Sequence, residues 1–230
     1  MSRKSESRAE TAKLTRLLGV EDSQAVAFLL AVPPPELRAY REAVTDLLYD
    51  DDQELLQRTA DAARLLPART LAAIGESALG PLICARLTGL LDPHRAVEIS
   101  NHFEIGFLAQ LAAELDPRRA VAVISAIATD TLVAVCTVMA ANGEHVAMGR
   151  FVAHLDDDAL SRCLEALSDE DLLRVAFVIE GEERLSSIFE RLGAERTDRI
   201  LATAKASGLA EEAKHITGRL NGLRRSGRTH

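Results

Sequence analysis

From Leu91 onward the sequence can be cut every 12 residues, and the pieces align. They read LDPHRAVEISNH, FEIGFLAQLAAE, LDPRRAVAVISA and IATDTLVAVCTV. The first position holds Leu91, Phe103, Leu115 and Ile127, and the sixth Ala96, Leu108, Ala120 and Leu132. The seventh holds Val97, Ala109, Val121 and Val133, and the ninth Ile99, Leu111, Val123 and Val135. Every one is apolar in a chain that is 47% apolar. Twelve residues accommodate about nine of helix and three of turn, roughly two and a half helical turns. Helices so short are unstable alone. They persist by stacking apolar faces on neighbours, as solenoids do. The expected fold class is therefore all-α, a right-handed superhelix or α-solenoid of helical repeats about 12 residues long. Successive helices are expected to pair as hairpins, which makes the structural unit about 24 residues.

Local signals place the helix starts. Asp92-Pro93 and Asp116-Pro117 each set an N-capping Asp before a Pro at the first helical position. Ser168-Asp-Glu-Asp171 has the form of a capping box, with Asp in place of Glu or Gln. The pattern resumes at Leu155 and Leu167 and continues, with a one-residue slip, past Leu192; upstream it reaches back to Leu79 and Leu66. Residues 139–154 break register around Asn142-Gly143, a turn signal, and predict an irregular or extra helix. The expected organisation is a disordered tail over 1–9, N-terminal capping helices over 10–64, the repeat domain over 65–216, and a basic tail over 217–230.

Composition and charge narrow the function classes. Leu and Ala favour helix, aromatics are 3%, and Trp is absent. The net charge is −8, yet residues 1–20 carry +3 and residues 217–230 carry +4, leaving −15 on the body. An acidic body repels phosphate backbones, so no nucleic acid is expected on it. The basic ends are read as solvated tails, with peripheral contact to an anionic surface as the alternative. No apolar leader opens the chain. The most membrane-like stretch, 120–143, is split by Asp130 into runs too short to span and reads as two buried helices. Cys84, Cys136 and Cys163 are scattered without a CxxC pair. They read as core thiols of a protein in a reducing cytoplasm.

Leu-Asp-Pro-x-Arg-Ala at 91–96 and 115–120, and Leu-Ser-Asp-Glu-Asp-Leu-Leu at 167–173, resemble the cytoplasmic N-terminal domain of MgtE-type magnesium transporters. That domain is similar to the helical repeats of the flagellar motor-switch protein FliG. The resemblance covers about residues 65–204 and implies a cytoplasmic short-helix repeat domain. No transmembrane helices and no nucleotide-sensing domains follow the repeats, so transport is not expected. In the family, acidic residues at domain contacts are linked to Mg²⁺ sensing. The acidic clusters here are Asp50-Asp51-Asp52 and Asp156-Asp157-Asp158. Three adjacent Asp on a helix cannot all face one ion, and they read as helix caps.

Catalytic constellations are missing from the sequence. There is no nucleophile elbow and no Gly-rich phosphate loop after a strand. Glu98 with His102, and Glu212 with His215, sit one turn apart, but a di-iron site needs two such motifs plus further Glu. No catalytic residue, metal site or cofactor is expected. The segment TLVAVCTVM, 131–139, is apolar almost all round. Such a helix is either central in the packing or lines an apolar cavity. The candidate ligand-binding residues are accordingly Leu132, Val135, Met139, Met148 and Phe151, beside the irregular segment. The expected function is a non-enzymatic cytoplasmic binding or scaffold protein with a protein partner, its acidic body favouring basic ones. Alternatives are a carrier of a lipid-like apolar small molecule and a magnesium-responsive regulator.

Overall fold

The structure, a computed structural model, describes residues 3–20, 23–50, 53–180 and 182–226. Among these residues every regular element is helical and no strand occurs. The chain divides into a terminal unit, residues 1–44 with 167–230, and a central unit, residues 45–166.

In the terminal unit α1 (Arg3–Leu17) leads to a 3-10 segment, Ser23–Ala31. Helix α2 (Pro34–Asp50) follows and runs past the unit boundary. Pro34 opens α2 at a position where a missing N–H costs nothing, and the Pro33 carbonyl accepts from Glu36 and Leu37. Residues 3–9, expected to be a disordered tail, lie inside α1, where Ser5, Ser7 and Ala9 are buried. The Ser7 hydroxyl donates to the Val32 carbonyl at 3.0 Å, so polar residues that read as a solvated tail instead dock the helix.

The central unit contains α3 (Gln53–Ala62), α4 (Ala68–Ile74), a π turn at Gly75–Leu79, and α5 (Gly80–Thr88). Then come α6 (Pro93–Ser100), α7 (Ile105–Glu114), a 3-10 turn at Pro117–Arg119 and α8 (Val121–Ile124). It closes with α9 (Thr129–Ala141), α10 (His145–Phe151) and α11 (Asp157–Ala166). The terminal unit resumes with α12 (Asp169–Val178), α13 (Glu182–Ala206), kinked at Gly193, and α14 (Ala210–Ser226). Residues 217–226 of the expected basic tail are thus helical; 227–230 lie outside the described residues.

Helical segments start at Ala68, Gly80, Pro93, Ile105, Pro117, Thr129, His145, Asp157, Asp169 and Glu182. The steps are 12 or 13 residues except one of 16, from Thr129 to His145. The irregular stretch is therefore one extra helical turn at the end of α9, closed by Gly143 at φ +77°, after which the spacing resumes. The caps fall where the sequence put them. Asp92 accepts from the backbone N–H of His94 and Arg95 at 3.0 and 3.2 Å. Ser168 Oγ accepts from the Asp171 N–H at 3.1 Å and donates to the Asp171 carboxylate at 2.5 Å.

In the central unit the packing differs from the expected hairpins, whereas in the terminal unit the consecutive helices α12 and α13, and α13 and α14, pack as expected. Alternate helices stack: α5 on α7, α7 on α9 and α9 on α11 form one row, and α4 on α6 and α6 on α8 form another. Short turns send consecutive helices to different rows, so the packed neighbour is about two repeats away in sequence. Cys84, Ala85, Ala96, Leu111, Leu115, Ala120, Val123 and Ile124 form a core cluster of this unit. Gly75 is required by close approach: a Cβ there would sit 3.0 Å from the Phe103 ring and 3.1 Å from Cys84 Sγ.

Candidate partner-binding face

The first helices of the central unit bury little of what they carry. Leu47, Leu48, Leu55, Leu65, Leu66, Ile74, Leu79 and Leu82 are all exposed, Leu65 at 85%, Leu47 at 71% and Leu55 at 64%. They sit on the end of α2, on α3 and its 3-10 extension Ala63–Leu65, on α4, on the π turn and on α5. Only Leu56 and Ala60 of α3 turn inward, packing with Leu87. In α4 it is Ala68 and Ala72 that do so, against Ile99. Leu71, half-buried, packs beside them, while Ile74 faces out.

This exposure is not that of a loose segment. Arg95 donates to the backbone carbonyls of Ala63 and Leu66. The Glu104 N–H donates to the Glu76 carboxylate at 2.8 Å. The backbone is thus fixed while its leucines stay in water. Exposed charges within residues 53–82 are Glu54, Asp61 and Glu76 against Arg58, Arg64 and Arg69. They cancel, in a chain of net charge −8.

Ala68–Thr88 is also the one stretch among the described residues that is long and apolar enough to cross a membrane by length and composition. In this fold it is not one rod. Gly80 takes φ +76°, ψ 172°, and Pro81 after it disfavours helical geometry at that position. Residues 120–143, the stretch singled out from the sequence, form two helices as expected, α8 and α9. They are not both buried: in α9 only Met139 is, and residues 131–136 are half-exposed.

Beside this face lies a charged centre. Asp116 is fully buried. Its carboxylate accepts from Arg118 Nη2 at 2.8 Å and from Arg150 Nη2 at 3.2 Å, and Arg119 Nε lies 3.8 Å away. Tyr49 donates to the Glu114 carbonyl at 2.8 Å and accepts from the Asp116 N–H at 2.7 Å. Burial opposes ionisation of Asp116, but the hydrogen bond from Arg118 and the charges of Arg150 and Arg118 outweigh it and hold the carboxyl below its usual range. A carboxylate so held is an acceptor with no proton to give near neutral pH. It clamps the turn at Pro117.

The five apolar residues singled out from the sequence differ in burial. Met139 and Met148 are buried, while Leu132, Val135 and Phe151 are half-exposed. Phe151 packs on the core with Leu111 and Val123. Of the acidic clusters, Asp51 and Asp52 lie outside the described residues. Asp156 caps α11, its Oδ1 accepting from the Ala159 N–H at 2.8 Å. Among the described residues no group of three or more His, Cys, Asp or Glu is placed to hold a metal ion. Glu98 pairs with Arg95, and Glu212 with Arg8, rather than with their histidines. The exposed leucine face itself escaped sequence reading: Leu66 and Leu79 occupy the first position of a repeat, a core position, and the leucines upstream of Leu66 read as parts of amphipathic helices. Comparison of the chain with known protein families, curated proteins and solved structures finds no match.

Proposed function

We propose that this chain is a non-enzymatic helical-repeat binding protein, and that the face carried by residues 47–82 docks a protein partner through apolar contact. The observation that carries this reading is the run of eight exposed large aliphatic side chains on an anchored backbone. Exposed large apolar side chains concentrated in one stretch of chain are a feature of interaction sites. The helix starts at 12–13 residue steps and the two rows of alternate helices support reading the central unit as a short right-handed α-solenoid. In a solenoid the terminal repeat needs a polar outer face unless something covers it. The leucines on α3 and its extension are the opposite of a polar cap. The motifs that resemble the MgtE-type cytoplasmic domain fit a cytoplasmic module of this sort.

Charge balance on the face refines the kind of partner. The acidic body favours basic partners, but the charges within 53–82 cancel, so affinity there comes from burying leucine rather than from ion pairing. The test is a pull-down from cells expressing the tagged full chain at native level, beside the double variant Leu55→Glu, Leu65→Glu. Both positions are exposed, so the variant folds as the parent does. A partner retained by the parent and lost from the variant is the expected result. Recovery of the same partners with both proteins, or of none with either, overturns the reading.

A further inference from the structure

Arg118 and Arg119, on the turn after α7, hold one carboxylate oxygen between them. Arg118 Nη2 donates to Asp46 Oδ1 at 3.1 Å, and Arg119 Nη2 donates to the same atom at 3.2 Å. Asp46 is on the part of α2 that belongs to the central unit. Its side chain is 50% exposed, whereas that of Asp116 is 0% exposed. Each arginine is also held by something other than Asp46. Arg118 Nε lies 3.2 and 3.1 Å from the two carboxylate oxygens of Asp116, which Arg150 of α10 also contacts. The Arg119 guanidinium lies over the Tyr49 ring, 5.1 Å from its centre. Gly89 ends α5 in helical geometry and brings that helix against the same turn: a Cβ there would sit 3.4 Å from Arg119 Cβ. Arg86, three residues earlier, shares this face of α5, and its Nε is buried with no hydrogen-bond partner. A buried donor left without an acceptor calls for a water or an anion.

We propose that the fork of Arg118 and Arg119 binds the phosphate group of a small molecule, and that Asp46 is the internal anion which that phosphate displaces. Asp46 brings one negative charge to the fork. A phosphate brings close to two, with three acceptor oxygens that match the planar donor sets of two guanidinium groups. Asp46 is the carboxylate that leaves, because half-exposed ion pairs are weak and water takes their place. Asp116 stays, because its loss would strand Arg118 and Arg150 beside a buried site. When Asp46 swings out, Arg118 remains on Asp116 and Arg119 on Tyr49. The fork therefore keeps its shape, and binding costs little reorganisation. Arg86 adds a further cation on the α5 side of the turn. The ligand is small because the chain as a whole, at net charge −8, repels a polyanion. This inference is independent of the partner-binding face.

The experiment is calorimetry on the folded full chain at low salt, with inorganic phosphate and methyl phosphate as probes in the millimolar range. Saturable binding at one site is expected. Binding of inorganic phosphate alone identifies the free ion as the ligand, and binding of methyl phosphate identifies a phosphomonoester. Asp46→Ala is expected to bind the same probe roughly fivefold tighter, because two half-exposed ion pairs no longer compete. Asp46→Asn, which keeps the side-chain shape, replaces it if the far-UV spectrum of Asp46→Ala departs from that of the parent. Arg119→Ala should lose most of the binding, while Arg199→Ala, an exposed arginine of the terminal unit, should bind as the parent does. No saturable binding of either probe by the parent overturns the proposal. So does an affinity that is unchanged or weaker once the Asp46 charge is removed. Equal losses in Arg119→Ala and Arg199→Ala, the mark of unspecific charge attraction, overturn it as well.

Discussion

The terminal unit takes charge inside, while the central unit leaves leucine outside. In the terminal unit Lys13, with a side chain 2% exposed, contacts Glu10 and Glu180, each at 2.9 Å. Arg41 contacts Glu180 at 2.8 Å and Glu10 at 3.3 Å. His215 is buried edge-on to Phe177, and Arg219 donates to the Ile179 carbonyl at 3.0 Å. Between 167 and 220 no described large hydrophobic residue is exposed, while the N-terminal part of the same unit exposes Leu18, Phe28, Leu30 and Tyr40. The central unit buries one carboxylate, Asp116, and exposes leucines along residues 47–82. The stability of the terminal unit therefore depends on ionisation, and the surface of the central unit suits association. A buried ion network needs all its members, because removing one strands the others away from water.

The largest effect tests the first half of that contrast. Lys13→Ala leaves Glu10 buried beside Glu180 with one fewer cation, and is expected to cost about 3–5 kcal/mol by urea unfolding. A loss under about 1 kcal/mol, the size of a surface pair, would erase the difference between the units. The pH dependence comes next. Burial, and then the Arg219 charge, lower the His215 pKa from 6.5 to about 4. The unfolded chain thus binds more protons than the folded chain between those values. The stability this gives is complete above pH 6.5 and falls by up to about 3 kcal/mol as the pH drops toward 4. Unfolding free energies measured across that window should slope for the parent and flatten for His215→Leu. The Asp116 and Glu180 contributions run the same way but are lost only at lower pH, as those depressed carboxyls are protonated.

In the central unit Gly75→Leu forces a side chain against Phe103 and Cys84 and should cost about 1–3 kcal/mol in the same assay. The smallest effect sharpens the second half of the comparison. Leu65→Glu should change stability by no more than about 0.5 kcal/mol, since the side chain is already in water. It should also lower retention on a hydrophobic matrix. A large loss of stability from Leu65→Glu would mean that the leucine face is core after all.

Much of the central unit was legible in the sequence because its signals are local. Asp92, Asp116 and Ser168 each cap within three residues of themselves, and the apolar period gave the helix starts. The exposed face was not legible, because an exposed leucine and a buried one are the same letter. The sequence also pointed to α9 as a central or cavity-lining helix, whereas most of its side chains are half-exposed. Its cysteine, Cys136, was read as a core thiol, whereas it is half-exposed.

By itself the amino-acid sequence determined the all-helical class, the 12-residue spacing and the caps, since these depend on propensity, period and neighbours a turn away. Tertiary structure decided what spacing cannot encode. In the central unit it stacked alternate helices instead of consecutive ones and turned the break at 139–154 into one added turn of α9. Residues 3–9 became part of a docked helix, with Ser7 bonded to Val32. It also gathered Lys13, Arg41 and Glu180 from three distant segments into one buried network. The physical reason is common to all of these. Burial and charge pairing depend on which surfaces come together across long sequence separations, and a short repeat offers many equivalent apolar faces from which only the folded chain selects.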